Sequence, residues 1–583
     1  MKQNSWKEIS LNRDTLKNLK KALFLLHVFL FSFSGLFLTF DFQKIGLTEQ
    51  EIKDFDYWAS LCGLLKNEKK YEEALAACDQ ALTINSKEAV IWTNRSDVLL
   101  KLKKYPEALV SAEQAIRIKS NYSLALINRC RALSELGRQE EAIAACDLAL
   151  RGDGNWGNSS PAQAWYNRGL AQARLKQYED AIASYDRAVE INPTYSLAWA
   201  DRCQALANLG KYSQALTSCE QAVRADGNWT EGSPAYAWYN RGMVLKKLGR
   251  YEEAIASFDR ALALDPNDAT TWTHHGAVLA LLGKYTEALA SQEWAVKLNP
   301  KYSLALANQC TVLNRLGDYE KSLAACESAF QGDGNWGDES PALAWDQRGT
   351  ALAGQEKFEE ALASHERAIG LNNNYAEAWN NRSVTLWYMG RHEDALTSSD
   401  RAVEINPDYS QAWYNRGRIL KTLKRYAEAV EAYDQALKSF GKEGDNRTVA
   451  DIWANRSVVL WHLQQYPEAL ASTDLALDIN PDSFQAWYNR GIVLMALGRN
   501  LEALTAYERA IQINPKDANV LAAKGLVLAR EKQLLEAIAT FEQALQLDPD
   551  NTVAQAYRDT VIQQLRQLEE KKSKDRSEPN NRR

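Results

Sequence analysis

Between residues 55 and 551 the hydrophobic and small residues follow one pattern that restarts after thirty-four positions, or after thirty-nine or forty where a connection is longer. Trp opens the pattern at 58, 92, 165, 199, 238, 272, 345, 379, 413, 453 and 487, and Leu126, Leu306 and Leu521 complete the series, giving fourteen units. Ala stands twenty-three positions after this anchor in every unit, from Ala81 to Ala544, and sixteen after it in all but one, where Ser322 replaces it. Pro closes seven units, as at Pro193, Pro407 and Pro481, and a Gly such as Gly210, Gly249, Gly283 or Gly498 divides a unit in two. The pattern predicts two antiparallel helices per unit. Small Ala lets the helices approach closely, Gly permits the turn between them, and Pro stops the second. Trp fills the space between one hairpin and the next. A single hairpin cannot bury its apolar faces alone, so neighbours must stack. The expected fold is therefore all-α, a solenoid of about fourteen helical hairpins over residues 55–551. A capping helix follows at 552–570 and a charged, disordered tail at 571–583.

A unit such as WYNRGLAQARLKQYEDAIASYDRAVEINP (165–193) resembles the tetratricopeptide repeat family, in the WYNRG form carried by bacterial, including cyanobacterial, arrays. The resemblance implies a right-handed superhelix whose concave face is lined by the first helix of each hairpin, and a role in binding. The family usually places Leu three residues after the anchor. Here ten units carry Arg instead: Arg95, Arg129, Arg168, Arg202, Arg241, Arg348, Arg382, Arg416, Arg456 and Arg490. All fourteen units carry Asp or Glu twenty-one positions after the anchor, for example Asp186, Asp259, Asp434 and Glu508. Within an antiparallel hairpin the two positions lie near one another, which predicts a structural ion pair; a ligand-binding row of Arg is the other reading.

Ahead of the array, residues 22–40 (ALFLLHVFLFSFSGLFLTF) form an uncharged run long enough for the hydrocarbon core of a bilayer. Residues 1–21 hold six Lys or Arg against two acids, whereas 41–56 hold two Lys against five acids. This asymmetry predicts a cytoplasmic basic N-terminus, a transmembrane signal-anchor at 22–40, a linker at 41–54 and an exported array. No small-x-small cleavage site follows the run, which favours an anchor over a cleaved signal. The net charge of −6 gives no basic field for nucleic acid.

The eight cysteines form four pairs, each with the same spacing of sixteen: Cys62 with Cys78, Cys130 with Cys146, Cys203 with Cys219, and Cys310 with Cys326. Each pair lies within one unit, one Cys on each helix at matching depth. Four intra-hairpin disulfides are expected, with buried thiols as the other reading. Disulfides need an oxidising compartment, in agreement with export. The spacing does not suit zinc.

Three Cys units are followed by a lengthened connection, DGNWGNSSPA (153–162), DGNWTEGSPA (226–235) and DGNWGDESPA (333–342). Their Trp156, Trp229 and Trp336 either pack on the hairpin end or form ligand contacts along one edge; a calcium loop around Asp333, Asn335 and Asp338 fits less well. For the concave groove the candidates are Tyr166, Tyr239, Tyr414 and Tyr488, one residue after their anchors, with the following Asn167, Asn240, Asn415 and Asn489. Tyr supplies contact area and Asn holds peptide amides, although Asn can equally bond the loops of its own hairpin. No Lys stands one residue after an anchor, so the family's clamp for a C-terminal carboxylate is not supported. The six His are scattered, and no phosphate-binding loop, nucleophile elbow or HExxH motif occurs. The expectation is a non-enzymatic scaffold, without cofactor or metal, that binds a protein or peptide and is tied to a membrane by residues 22–40. A soluble cytoplasmic adaptor and an accessory subunit of an envelope enzyme, in secretion or polysaccharide assembly, stay open.

Overall fold

The computed structural model describes residues 54–157, 159–225, 233–337, 340–440 and 446–577. Among them are twenty-nine α-helices and no strand. The chain divides into two compact units, one ending at Leu282 and the other starting at Gly283. The first unit holds the helices from Phe55–Asn67 to Ala269–Leu281, and the second those from Tyr285–Leu298 to Thr552–Ser577. Within each unit short helices alternate as the first and second arms of hairpins, and a longer helix closes the second unit. That closing helix, Thr552–Ser577, buries Ala554 and Val561 against the last hairpin and runs past the expected boundary at 570. Among the described residues no helix is long and apolar enough to cross a membrane; the segment 22–40 lies outside them.

The turn between the two arms has one conformation throughout. Eleven positions after each anchor the backbone adopts a positive φ, 59–78°, in all fourteen repeats. Gly occupies seven of these positions. Lys69, Lys103, Lys176, Glu356, Lys424, Gln464 and Lys532 occupy the others and accept the left-handed conformation that Gly adopts without a Cβ clash.

The Ala positions mark where the arms touch. Each Ala of the later series, from Ala81 to Ala544, is at most 2% exposed. Ser322, the one departure in the earlier series, is buried with its hydroxyl bonded to Cys310 O and Asn314 Oδ1. A second close contact lies between positions 4 and 20 after the anchor. In six hairpins a Gly on the first arm faces a large ring on the second: Gly169 and Tyr185, Gly242 and Phe258, Gly349 and His365, Gly417 and Tyr433, Gly491 and Tyr507, Gly525 and Phe541. A methyl group on Gly417 would come 2.5 Å from Cε1 of Tyr433. Three other hairpins place small residues at both positions, Ser96 with Ala112, Ser383 with Ser399 and Ser457 with Thr473, all buried. Four further hairpins fill the same contact with Cys62 and Cys78, Cys130 and Cys146, Cys203 and Cys219, and Cys310 and Cys326.

Stacking of one hairpin on the next uses the Trp and Arg positions together. The indole Nε1 of Trp92, Trp199, Trp272, Trp379, Trp413 and Trp487 donates to the carbonyl six residues earlier, at the end of the preceding hairpin, over 2.8–3.0 Å. The Arg three residues on packs its guanidinium against the same indole at 5.4–5.9 Å in nine repeats. Its charge partner is the acid of the preceding hairpin, not of its own as the sequence suggested. Arg95 meets Asp79, Arg168 Asp147, Arg202 Asp186, Arg348 Glu327, Arg382 Glu366, Arg416 Asp400, Arg456 Asp434 and Arg490 Asp474 at 2.6–3.0 Å. Arg129 and Arg241 reach Glu113 and Glu220 at 3.7 Å. The same guanidinium turns back to its own hairpin through a Ser hydroxyl at 2.5–2.8 Å in seven repeats, among them Ser218 and Ser398.

These packing rules make Gly417→Ala a sharp test. It is expected to destabilise its hairpin by about 1–3 kcal/mol through overpacking, read as faster hydrogen exchange over 410–440. Tyr433→Leu in the same chain is expected to recover part of the loss. An unchanged exchange rate in Gly417→Ala would contradict the packing described.

Candidate functional site

First arms within a unit pack on one another from hairpin to hairpin, whereas second arms make no comparable contact with the next second arm. First arms therefore line the inner face of each unit, and side chains at positions 1, 5 and 8 after the anchor share the stripe that faces inward.

The four predicted Tyr–Asn pairs do not behave alike. In the first unit Tyr166 donates its hydroxyl to the Asp201 carboxylate at 2.8 Å, and Tyr236 donates to the other oxygen at 2.9 Å. Burial pushes the Asp201 carboxyl up, against the opposing pull of the two phenol hydrogen bonds. Tyr239 packs on the rings of Phe258 and His274. Both Tyr166 and Tyr239 are engaged inside the stack. In the second unit Tyr414 and Tyr488 border an open cavity of about 720 Å³ between the first arms Ala376–Tyr388, Ser410–Thr422, Asn446–His462 and Phe484–Ala496.

The Asn row is a correction. Asn167, Asn240, Asn415 and Asn489 are only 3–7% exposed, and of the four only Asn489 borders the cavity. Asn489 donates to Ala454 O and Asn415 to Asn380 Oδ1, each at 2.9 Å and each on the preceding first arm. Asn128 does the same to Thr93 O. These three join neighbouring hairpins instead of bonding the loops of their own, whereas the amide nitrogens of Asn167 and Asn240 are buried without an acceptor. The physical reason is position: two residues after the anchor the side chain points at the adjacent first arm.

The cavity brings in residues that the repeat pattern did not single out: Trp387, Arg418, Lys421, Trp461 and His462. Arg418 lies against the rings of Trp387 (4.8 Å) and Tyr414 (5.8 Å). Lys421 Nζ donates to Asn455 Oδ1 at 2.6 Å. Burial, reinforced by Arg418, pulls the Lys421 ammonium down, and burial likewise lowers His462. The indole nitrogen of Trp461 is buried without an acceptor. Trp387 and Trp461 stand off the anchor series, eight positions after Trp379 and Trp453, and this second Trp spacing is the signal from which the site was readable.

The four cysteine pairs are joined Sγ to Sγ at the contact that other hairpins fill with Gly and a ring. The Cα–Cα separation is 5.0 Å between Cys62 and Cys78, 5.3 Å between Cys130 and Cys146, 5.3 Å between Cys203 and Cys219, and 5.4 Å between Cys310 and Cys326. All eight are fully buried, and none is a free thiol. The cysteines are therefore buried core cross-links.

The DGNW connections fold back on their own hairpins. Asp153 accepts from the Ser123 and Asn155 amides and pairs with Lys119, and Asn155 O accepts from the Leu124 amide. Burial opposes the charge of Asp153, but Lys119 and the two amides outweigh it and lower its carboxyl to about 2. Asp333 and Asn335 repeat the arrangement on Ser303 and Leu304. Trp156 and Trp336 pack with Leu126 and Leu306, where the anchor is Leu, and so supply the missing indole bulk. The connection that carries Trp229 lies largely outside the described residues.

Sequence models of the tetratricopeptide repeat match residues 123–147, 162–195 and 235–268, and cover 383–552 in four overlapping segments. The chain belongs to the tetratricopeptide repeat family. Its repeats and fold are those of a scaffold for protein–protein interaction. No curated protein matches the sequence. Among solved structures the chain is similar to one in the crystal structure of the APC/C hetero-tetramer Cut9–Hcn1, with 17% identity over 89% of this chain and 98% of that one and a TM-score of 0.47. It is also similar to YrrB, described as a TPR protein with an unusual peptide-binding site, with 24% identity over 33% of this chain and 97% of that one and a TM-score of 0.29. These scores leave the family assignment resting on the sequence models.

The shared position of Cys pairs and Gly–ring pairs generates a prediction. Replacing Cys130 and Cys146 by Ala is expected to destabilise that hairpin by about 2–4 kcal/mol under oxidising conditions. Cys130→Gly with Cys146→Tyr is expected to restore much of the loss, because it installs the pair used by Gly169 and Tyr185. Limited proteolysis of residues 123–150 reads the difference; no recovery would show that the contact is not interchangeable.

Proposed function

We propose that the chain is an exported, membrane-anchored scaffold that holds a protein or peptide partner on the inner face of its second unit. The cavity bordered by Tyr414 and Tyr488 carries this reading. It is open, spans four successive first arms and mixes aromatic surface with hydrogen-bonding groups, the composition that suits an extended segment. Any chemistry resides in the partner.

Anchoring and export rest on the sequence. Residues 22–40 supply the span, with the basic N-terminus in the cytoplasm and the array in the periplasm, a lumen or outside the cell. The position of all eight Cys in four pairs supports the same side, since disulfides persist in oxidising compartments. The WYNRG form of the repeats fits a bacterial source.

Thiol trapping in intact cells tests the placement. Free thiols are blocked with a membrane-permeant alkylator, and modified Cys are counted by mass spectrometry before and after reduction. The expected result is eight protected Cys in the four pairs. Eight free thiols would place the array in the cytoplasm and make it a soluble adaptor.

A further inference from the structure

Charged residues recur on the inner stripe in both units, and a carboxylate answers them around Asp97 but not around Arg418. In the first unit Lys66, eight positions after its anchor, and Arg131, five after its own, share the carboxylate of Asp97, at 3.4 and 3.6 Å. Lys66 also donates to Asn94, two positions after the next anchor. The second unit repeats the frame: Lys421 stands eight after Trp413 and donates to Asn455, two after the next anchor. Where Asp97 would stand, five after that anchor, is Val458, which lines the cavity. Among the described residues no carboxylate lies within ion-pair distance of Lys421 or Arg418. Arg418 makes its contacts with the rings of Trp387 and Tyr414.

Resting on the reading of this cavity as a partner groove, we propose that its occupant is an acidic peptide segment. An Asp or Glu side chain of the partner enters between Arg418 and Lys421, at the place that Asp97 fills in the first unit. Two cations held half out of water without a counter-ion favour an incoming carboxylate strongly. Asn455 already fixes the Lys421 ammonium, so less freedom is lost when the carboxylate docks. Neighbouring apolar or aromatic residues of the segment lie against Trp387, Trp461 and Tyr488. The frame differs from a clamp built one residue after the anchors, because both cations belong to a single first arm, one helical turn apart.

The test uses the full chain, purified in detergent, and a displayed library of random twelve-residue peptides. Wild-type protein is expected to select sequences enriched in Asp and Glu beside aromatic or Leu residues. A selected peptide is expected to lose about tenfold in affinity when its acids become Asn or Gln, and to bind more weakly as salt rises. Val458→Asp restores the internal carboxylate of the first unit and is expected to abolish the acidic preference. Lys421→Met is expected to weaken it without adding a charge, and circular dichroism confirms that both variants fold. Selected peptides without an acidic bias, or an acidic bias that survives both variants, would overturn the proposal while leaving the groove standing. Failure to select any peptide would overturn the groove reading itself, and the proposal with it.

Discussion

Ten hairpins of this array are held to the one before by an arginine, clasped on three sides in seven of them. The guanidinium lies on the indole that opens its own repeat, reaches an acid at the end of the previous hairpin, and returns through a Ser hydroxyl to its own second arm. An ion pair at a protein surface contributes little, about 0–1 kcal/mol. Here the Arg side chains are only 17–28% exposed, and the aromatic contact and charged hydrogen bonds add to the pair. In a solenoid the stability of the whole is a sum of repeat and nearest-neighbour terms. A modest junction repeated down the chain therefore becomes a principal term. At Lys524 the ion pair to the preceding hairpin is retained with Glu508, and His275 Nε2 faces Asp259 at 3.3 Å.

Inside a hairpin the governing constraint is the close approach at positions 4 and 20. Space there is fixed by the backbone, and the sequence fills it in different ways: glycine against a ring, two small residues, or two cysteines. Cysteines at this place need no special geometry, because the arms are already within bonding reach. The four disulfides thus stand at a contact that other hairpins make with Gly and a ring or with small residues.

The hairpins, their turns and the pairing of Cys62 with Cys78 or Cys203 with Cys219 were legible because they are local and repeat with a fixed period. Trp, Ala and Gly report the packing of one repeat on itself and leave little choice. The partner of each Arg was not legible. In a strict repeat the acid of the same unit and the acid of the preceding unit recur with the same period, so periodicity alone cannot choose between them. The second arm of the preceding hairpin lies beside the next first arm, and that adjacency decides it. The Asn row was misplaced for a related reason: a polar residue in a repeating position reads as surface until the neighbouring arm is present to cover it. At the groove, Tyr414 and Tyr488 were found through their constant position. Arg418 and Lys421 escaped because positions 5 and 8 vary freely from repeat to repeat, and their meaning depends on Val458 in the next repeat.

The repeat rule is relaxed on the inner stripe. The inner stripe of the first unit closes on itself through Asp97 and through the Tyr166–Asp201–Tyr236 set, whereas the stripe around Arg418 stays open. The structural claim beneath this is that the clasp runs between hairpins. Hydrogen exchange of the full chain carrying Arg416→Met tests it directly. The account predicts faster exchange in the helix His392–Ile405, which carries Asp400, together with Ser410–Thr422, and little change in distant hairpins. Faster exchange confined to Ser410–Thr422 and Tyr426–Phe440, the hairpin of Arg416 itself, would contradict it.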